Sequence, residues 1–520
     1  MPAAHDCTAH DPAARVCVAA DPAVAHDPAA PTPTSTSPSP SPASSAPSAS
    51  PVDARPCRPA PGVRPAAFLG SFFHAPRYGE VELLDRALVE VDARGVIDAV
   101  TLPDAPDYAA RVAAARQAGT LACLPDGTYG LPGFVDLHVH APQWPQAGVA
   151  LDEPLDVWLQ KRTFPLEARF SDLEFARRVY RDLVRKLLSL GTTTTVYFAS
   201  NDLASSIELS RIAAEAGQRA LVGKVVMDDP AASPDYYRDA STAQALADTE
   251  TLIREVASIA TTTPQGAYAV VTPRFIPSCT DEGLAGLGRI AERHDAYVQS
   301  HCNEGQWEHD FVQARFGKSD AEALYDFGLL REKSIMAHCT FLTASDGELF
   351  ARTGAAVAHC PISNSYFANS TCPVRRLRAQ GVRMGLATDI SGGFSPSLYD
   401  NIRHAVMVSR MLEDGVDARV PQDRRGAGEA SRITSAEAFW LATAGGAEAL
   451  RLPIGTFQVG RAFDAQVIDT RVPGADLTGF GVFDAPRDVL DRILFLSTPE
   501  NVRQTWVQGR LAFERGLRKA

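Results

Sequence analysis

Two histidines that stand one residue apart at the end of an apolar run could bind a divalent metal ion. His138 and His140 close the segment 134–140, in which most of the other residues are apolar. Side chains alternate across a β-strand, so both imidazoles would point the same way if this segment is a strand. Imidazole nitrogens are common ligands of zinc and related ions. The H-x-H pattern alone does not distinguish a metal site from two ordinary strand histidines.

Three further apolar segments end in a side chain that can bind metal. Segments of four to six residues lead directly into His301, His338 and Asp389. Each segment is short and β-prone, as the buried strands of a parallel sheet are. The active site of a (β/α)₈ barrel lies at the C-terminal ends of its strands. The pattern therefore predicts that these side chains converge with the H-x-H pair around one metal ion.

The region 132–454 has the alternation of β-like and helical segments that is typical of a parallel α/β barrel. The predicted strands end at His140, Ala199, Met227, Arg274, His301, His338, His359 and Asp389. The clearest helix is predicted from Ser171 to Leu190, where apolar residues recur at helical spacing and Ser171 with Glu174 suggests a capping box. The predicted fold class is therefore α/β, with a (β/α)₈ TIM-like barrel that positions the metal ligands.

The two ends of the chain differ from this middle region. Residues 1–65 are rich in Pro, Ser and Ala, and we expect a disordered tail because few apolar side chains could offset the entropy of ordering. Residues 66–131 and 455–520 contain short β-like runs, and neither block alone is large enough to bury a good core. We therefore expect both blocks to form one small β-sandwich, with the barrel at 132–454 inserted between its two parts.

Charge and hydropathy argue against several classes of partner. The net charge is −12 and no run of Lys and Arg occurs, which argues against nucleic acid and against an anionic membrane surface. No apolar stretch approaches the ~20 residues of a membrane span, and the first residues lack the pattern of a secretory signal. The nine cysteines are scattered without a C-x-x-C motif, so we predict reduced thiols and a cytoplasmic location.

These motifs resemble those of the amidohydrolase superfamily and, within it, those of the guanine deaminases. The H-x-H pair with the later His, His and Asp is the superfamily pattern. The narrower resemblance is carried by PGFVDLHVHAPQ (132–143), LDEPLDVWLQKRTFPLEARF (151–170), GTTTTVYFA (191–199), VTPRF (271–275), QSHCNE (299–304), AHCPISN (358–364) and LATDISGG (386–393). The resemblance implies hydrolysis of guanine by metal-activated water to xanthine and ammonia. It also implies a homodimer with one Zn²⁺ per subunit, or Fe²⁺ in its place.

The resemblance further implies a role for each residue of the site. The metal ligands would be His138, His140, His301 and Asp389. The catalytic residues would be Glu304 as proton donor to the ring, Asp389 as acceptor of the water's proton, and His338 as hydrogen-bond partner of the attacking oxygen. The purine would contact Gln143, Arg274, Phe275 and Glu304.

Two other interpretations stay open on the sequence. Another single-metal amidohydrolase could act on an aminated or chlorinated triazine, pyrimidine or adenosine-like ring, because Ile362, Ala387 and the segment 365–373 depart from the guanine deaminase pattern. The chain could also be an inactive scaffold, although its complete set of metal-binding side chains speaks against this. Two-metal relatives carry a modified lysine on strand four, whereas the predicted strand that ends at Arg274 has none, which favours one metal ion.

Overall fold

The computed structural model describes residue 59 and residues 63–516. Apart from residues 59 and 63–65, the tail that we predict to be disordered lies outside the described residues. Among those that are described, none of the helices combines the length and the apolar character that a membrane crossing needs.

The N-terminal block folds into five strands that precede the barrel. Their bounds are β1 (Ala67–Arg77), β2 (Glu80–Val91), β3 (Ile97–Thr101), β4 (Leu121–Cys123) and β5 (Thr128–Pro132). The long strands β1 and β2 pair antiparallel, and β2 pairs antiparallel with β3. The short β-like runs expected in 66–131 thus include one long strand, β2.

The middle of the chain forms a nearly closed barrel of parallel strands, as predicted. These strands are β6 (Phe134–His140), β7 (Thr192–Phe198), β8 (Arg219–Gly223), β9 (Val225–Val226), β10 (Ala267–Pro273), β11 (Tyr297–Cys302), β12 (Ser334–His338), β13 (Ala356–His359) and β14 (Arg383–Leu386). They follow one another in space in chain order, and β8 with β9 forms one barrel position interrupted at Lys224. Beyond β14, the backbone N–H of Asp389 donates to the carbonyl oxygen of His138 at 2.9 Å, so the last strand position reaches the first.

Both chain ends contribute to one sheet, which confirms the predicted fold class. The C-terminal strands are β15 (Ala465–Asp469), β16 (Arg471–Val472), β17 (Ala475–Asp476), β18 (Val502–Val507) and β19 (Arg510–Glu514). The continuous eight-stranded sheet has the order β19-β18-β15-β5-β1-β2-β3, with β4 paired to β1. Aromatic side chains from both ends pack together in it: the ring of Phe68 stacks on Phe463 at 3.9 Å and meets the edge of Trp506 at 5.1 Å.

Helices connect the barrel strands and follow the sheets. The α-helices are Tyr108–Gln117, Leu155–Trp158, Phe164–Glu167, Leu173–Leu188, Leu203–Glu215, Thr242–Ala260, Asp281–Arg293, Gln306–Phe316, Asp320–Asp326, Ala344–Thr353, Pro361–Ser363, Val374–Ala379, Leu398–Asp414, Gln422–Arg425, Ser435–Trp440, Gly446–Leu450 and Pro486–Leu496. Tighter or wider helical turns lie at Ala141–Gln146, Leu159–Thr163, Ala168–Ser171, Ile276–Ser278, Asn364–Ala368, Leu441–Gly445 and Pro499–Asn501.

The helix that we predict from Ser171 to Leu190 is shorter and is capped by a different residue. It runs from Leu173 to Leu188, and the side chain of Asp172 accepts hydrogen bonds from the backbone N–H groups of the first turn. The predicted cap was wrong because the hydroxyl of Ser171 instead donates to a carbonyl of the preceding turn. The C-terminal half of the predicted apolar face, from Leu183 to Leu188, is buried in a cluster with Val139 and Tyr197 of the barrel strands. Each fully buried large apolar side chain stabilises such a contact by about 1.5–3 kcal/mol.

The cysteines only partly follow the prediction of reduced thiols. Buried free thiols are found at Cys279, Cys302, Cys339, Cys360 and Cys372. Cys123 is disulfide-bonded, so the prediction is wrong at this position. Spacing along the chain does not reveal which thiols folding brings together.

Candidate active site

The side chains that we predict to bind metal meet at the C-terminal ends of the barrel strands. His138 and His140 come from β6 and His301 from β11, while Asp389 follows β14. Nε2 of His138 lies 3.2 Å from Oδ1 of Asp389, and Nε2 of His140 lies 3.5 Å from the same oxygen. The Nε2 atoms of His140 and His301 are 3.0 Å apart. The barrel thus brings His138 and Asp389 into contact although they lie 251 residues apart in the sequence.

Hydrogen bonds behind the imidazoles direct their Nε2 atoms into the site. Nδ1 of His301 lies 2.5 Å from the carbonyl oxygen of Arg274, and Nδ1 of His338 lies 2.8 Å from Oδ1 of Asn364. Both oxygens are acceptors, so in each imidazole Nδ1 carries the proton and Nε2 keeps its lone pair. This is the tautomer that a metal ligand or a hydrogen-bond acceptor in the site requires.

The backbone turns out of the sheet where two of these residues stand. His338 has φ 71° and Asp389 has φ 51°, in the left-handed region that is uncommon for residues other than glycine. Such conformations are concentrated at functional sites, where the surrounding structure holds them. The strand β14 itself ends at Leu386, three residues before the predicted end at Asp389.

Burial keeps the histidines of the site neutral. It lowers the pKa of His138, His140 and His301 well below the usual range, and the neighbouring imidazoles and Arg274 lower it further. A neutral imidazole is the form that binds a metal ion. Burial also raises the pKa of the Asp389 carboxyl, while His338 opposes this shift.

The atoms at the centre of the site fit a metal ion. His138 Nε2, His338 Nε2 and Asp389 Oδ1 are buried and have no hydrogen-bond partner among the described residues. Buried polar atoms are normally paired, so this group of unpaired atoms indicates a missing partner. The ligand atoms of His138, His140 and His301 lie within 4.8 Å of one another. Neutral imidazoles beside a carboxylate suit zinc, and they also suit iron.

Glu304 stands two residues after β11 with its carboxyl beside the metal-binding cluster. Its Oε2 lies 3.7 Å from Nε2 of His338. Burial, and secondly the nearby Asp389, raise the pKa of the Glu304 carboxyl to about 8, while Arg274 opposes this shift. The backbone N–H of Glu304 donates to Oε2 of Glu308 at 2.8 Å, which fixes the start of this turn. Glu304 is therefore protonated at neutral pH and can donate a proton.

The residues that we predict to contact the purine also reach this end of the barrel. Arg274 and Gln143 are both buried. Phe275, which follows Arg274, has its ring centroid 6.3 Å from that of His301 and 5.8 Å from that of Trp307. All the predicted site residues are therefore brought together, and none is left on the surface.

Sequence reasoning missed Glu167, which connects Gln143 with Arg274. Its Oε2 accepts from Nη1 of Arg274 at 2.6 Å, and its Oε1 accepts from Nε2 of Gln143 at 2.8 Å. Glu167 lies inside the segment 151–170 that carries the resemblance, but no spacing in that segment indicates its partners.

Asp136 was also missed, although it stands inside the H-x-H segment. Its Oδ1 accepts from the backbone N–H of Thr388 at 2.9 Å, and its Oδ2 accepts from the Thr388 hydroxyl at 2.6 Å. A charged residue in an otherwise apolar strand is a signal that could have identified it. Tyr366 is a third residue near the site that the sequence analysis missed. Its hydroxyl donates to the carbonyl oxygen of Gly392, and this hydrogen bond connects the loops after β13 and β14.

Comparisons with known proteins agree with this geometry. Residues 129–512 match the amidohydrolase family. A probable guanine deaminase of Schizosaccharomyces pombe is 35% identical over 449 residues, which are 85% of this chain and 82% of the relative. Guanine deaminase of Dictyostelium discoideum is 34% identical over 462 residues, 85% of this chain and 97% of the relative. The crystal structure of guanine deaminase from C. acetobutylicum with guanine bound in its active site has a TM-score of 0.75 at 28% identity. The structural match covers 86% of this chain and 99% of the C. acetobutylicum chain.

Proposed function

The chain belongs to the amidohydrolase family, and we propose that it hydrolyses guanine to xanthine and ammonia. It is then a hydrolase that acts on a carbon–nitrogen bond of a cyclic amidine. The observation that carries this proposal is geometric: the Glu304 carboxyl lies 3.7 Å from His338, beside the cluster of three imidazoles from His138, His140 and His301 and the carboxyl group of Asp389. The two relatives at 34–35% identity, which cover 85% of the chain, support guanine as the substrate.

His138, His140, His301 and Asp389 would hold the metal ion, and we propose one Zn²⁺ per subunit, with Fe²⁺ as the alternative. In such a site a divalent ion supplies water whose pKa is lowered from 15.7 to about 7. The unpaired Nε2 atom of His138 and the Oδ1 atom of Asp389 support this assignment.

The chain's own residues would move the protons. Glu304 gives its proton to ring nitrogen N3, which makes C2 more electrophilic, and Asp389 accepts one proton of the water that adds to C2. Nε2 of His338 holds the attacking oxygen by a hydrogen bond. The amino group leaves as ammonia with the proton from Asp389. As the C2 carbonyl forms, the remaining proton of the oxygen returns to Glu304, so both water protons are accounted for.

The purine would lie between Phe275 and the residues that read its edge. Oε1 of Gln143 is buried and has no hydrogen-bond partner among the described residues, so it is free to accept from a purine N–H. The Arg274 guanidinium would donate to the purine carbonyl oxygen. The Phe275 ring would pack on the face of the purine.

Incubation of the purified protein with guanine tests the proposal directly. We expect xanthine and ammonia in equal amounts, and little or no turnover of adenine, cytosine or ammeline. The variant Gln143→Ala should lose guanine turnover with its metal content unchanged, and Arg274→Ala should do the same. If adenine, cytosine or ammeline is turned over faster than guanine, the protein is a single-metal deaminase of another substrate.

A homodimer is a separate proposal that rests on the resemblance alone. Light scattering on the purified protein should then give twice the chain mass of 55.7 kDa. A mass of one chain at micromolar concentration would contradict it. The cytoplasmic location expected from the sequence stays a prediction.

A further inference from the structure

We propose that Glu167 is a positioning residue that sets which way the amide of Gln143 faces, and that it thereby selects a neutral ring with an N–H donor at that point. The inference rests on the proposed deamination of guanine and deepens it. Glu167 itself would not contact the substrate.

The carboxylate of Glu167 is buried and directed at protein donors. Glu167 ends the short helix Phe164–Glu167 and is 1% exposed. Its Oε1 accepts from Nε2 of Gln143 at 2.8 Å and from Nη2 of Arg274 at 3.3 Å. Its Oε2 accepts from Nη1 of Arg274 at 2.6 Å. Both oxygens are therefore engaged by the two residues that we propose to read the purine.

This contact fixes the orientation of the Gln143 amide. An amide group has one donating and one accepting end, whereas an ionised carboxylate only accepts. The NH₂ group of Gln143 must therefore face Glu167, and its Oε1 must face away from it. That oxygen is buried and unpaired among the residues that the structure describes. Because buried acceptors are normally paired, the unpaired oxygen marks the place where a ligand N–H fits.

The same carboxylate also balances the charge of Arg274 and fixes the plane of its guanidinium. Two nitrogens of the guanidinium bind the two oxygens of Glu167, and such paired contacts fix the plane of the group. The guanidinium carbon also lies 5.0 Å from the centroid of the Phe164 ring. With its charge balanced by Glu167, Arg274 can donate to a carbonyl oxygen without attracting an anion. The pair thus favours a neutral heterocycle over a carboxylate or phosphate ligand.

The variant Glu167→Gln tests the orientation with almost no change in shape. If the new amide oxygen accepts from Arg274, the new NH₂ group faces the NH₂ group of Gln143. Gln143 must then turn over, which places a donor where guanine also offers a donor. We expect KM for guanine to rise about 10- to 100-fold, with kcat changed much less. Equilibrium dialysis of labelled guanine against metal-depleted protein should show a loss of affinity of the same size.

A matched control is the variant Glu208→Gln, which also removes the charge of a buried glutamate that is paired with an arginine. Glu208 lies on the helix Leu203–Glu215, and its Oε1 accepts from Nε of Arg177 at 2.8 Å. This control should leave KM and the affinity for guanine unchanged. It measures what the loss of a buried charge does to the enzyme without any effect on Gln143.

The reciprocal double variant Gln143→Glu with Glu167→Gln tests the same orientation by rescue. The carboxylate at position 143 accepts from the amide at 167 and still turns an oxygen toward the pocket. We expect KM within about tenfold of wild type. Gln143→Glu alone places two carboxylates side by side and should not bind guanine well. A purely structural role for Glu167 would not give this pattern of loss and recovery.

Several results would overturn the inference. One is a KM for Glu167→Gln no higher than for Glu208→Gln, and another is a folded double variant with no recovery. If Glu167→Gln does not fold, Glu167→Asp keeps an acceptor at this point. A loss of guanine affinity in equilibrium dialysis that is as large for Glu167→Asp as for Gln143→Ala would then refute the role. Wild-type protein that does not turn over guanine would instead refute the proposed function, independently of these comparisons.

Discussion

Removal of the Asp136 carboxylate should loosen the closure of the barrel at the metal-binding end. Its two oxygens accept from the backbone N–H of Thr388 at 2.9 Å and from the Thr388 hydroxyl at 2.6 Å. Oδ1 also accepts a longer bond from the backbone N–H of His138 at 3.4 Å. Thr388 precedes Asp389, so one carboxylate holds the two strand ends that carry three of the four proposed ligands.

The expected loss of stability follows from these contacts. Asp136→Ala removes two short buried hydrogen bonds at about 0.5–1.5 kcal/mol each and leaves the donors of Thr388 unsatisfied at about 1–3 kcal/mol. We therefore expect the free energy of unfolding to fall by about 2–6 kcal/mol. Partners behind metal ligands typically change metal affinity about 10- to 100-fold, so the dissociation constant for zinc should rise by that factor.

Two measurements check this prediction. Urea titration of metal-free protein gives the free energy of unfolding, and competition with a chromogenic chelator gives the zinc affinity. Thr388→Val is the matched control, because it removes only the bond from the hydroxyl and should lose about 1 kcal/mol. An Asp136→Ala protein within about 0.5 kcal/mol of wild type, with unchanged zinc affinity, would refute the reasoning.

Three further predictions concern the acid, the metal and a buried carboxyl pair. Glu304→Gln should lower kcat about 10²- to 10⁴-fold with metal content unchanged. The control is Glu348→Gln, at an exposed glutamate. If both variants have the same activity, Glu304 is not the general acid. Removal of the metal ion by a chelator should lower the melting temperature in calorimetry, since metal at 100 times its dissociation constant stabilises the folded protein by about 2.7 kcal/mol. If added zinc does not restore the melting temperature, the proposed metal site is contradicted. Burial, and secondly Asp320, raises the pKa of Glu308 well above its usual range, so the folded state keeps a proton that the unfolded state releases above about pH 4.3. The contribution of Glu308 therefore falls as pH rises, and Glu308→Gln should gain stability relative to wild type between pH 5 and 8. A pH-independent difference would contradict this.

The barrel and its metal-binding end were predictable because each ligand is attached to a strong local signal. His140 and His338 end their strands at the predicted positions, since buried parallel strands are short apolar runs with clear limits. Parallel strands share one C-terminal edge, so residues at strand ends must meet regardless of their separation along the chain. Knowledge of the strand ends was therefore enough to predict the cluster.

Contacts that depend on tertiary packing were not predictable. The partners of Glu167 come from the turn after β6 and from the end of β10, and nothing in the local sequence relates them. The helix cap at Asp172 was missed because Ser171 and Asp172 are both good capping residues and packing selects between them. The end of β14 was placed three residues too late, because the apolar run continues through Ala387 and nothing in the local sequence shows that the strand ends at Leu386.

The eight-stranded sheet, which contains strands from both ends of the chain, has a consequence for synthesis on the ribosome. Leu131 of β5 pairs with Gln466 of β15, so the two strands emerge 335 residues apart. At about 5–20 residues per second, the nascent N-terminal strands wait roughly 20 to 70 s for their neighbour. During that interval one strand edge and the aromatic surface around Phe68 lack their partners, which favours aggregation. Yield should therefore depend on how well the cell protects this unfinished sheet, even if the barrel has already folded.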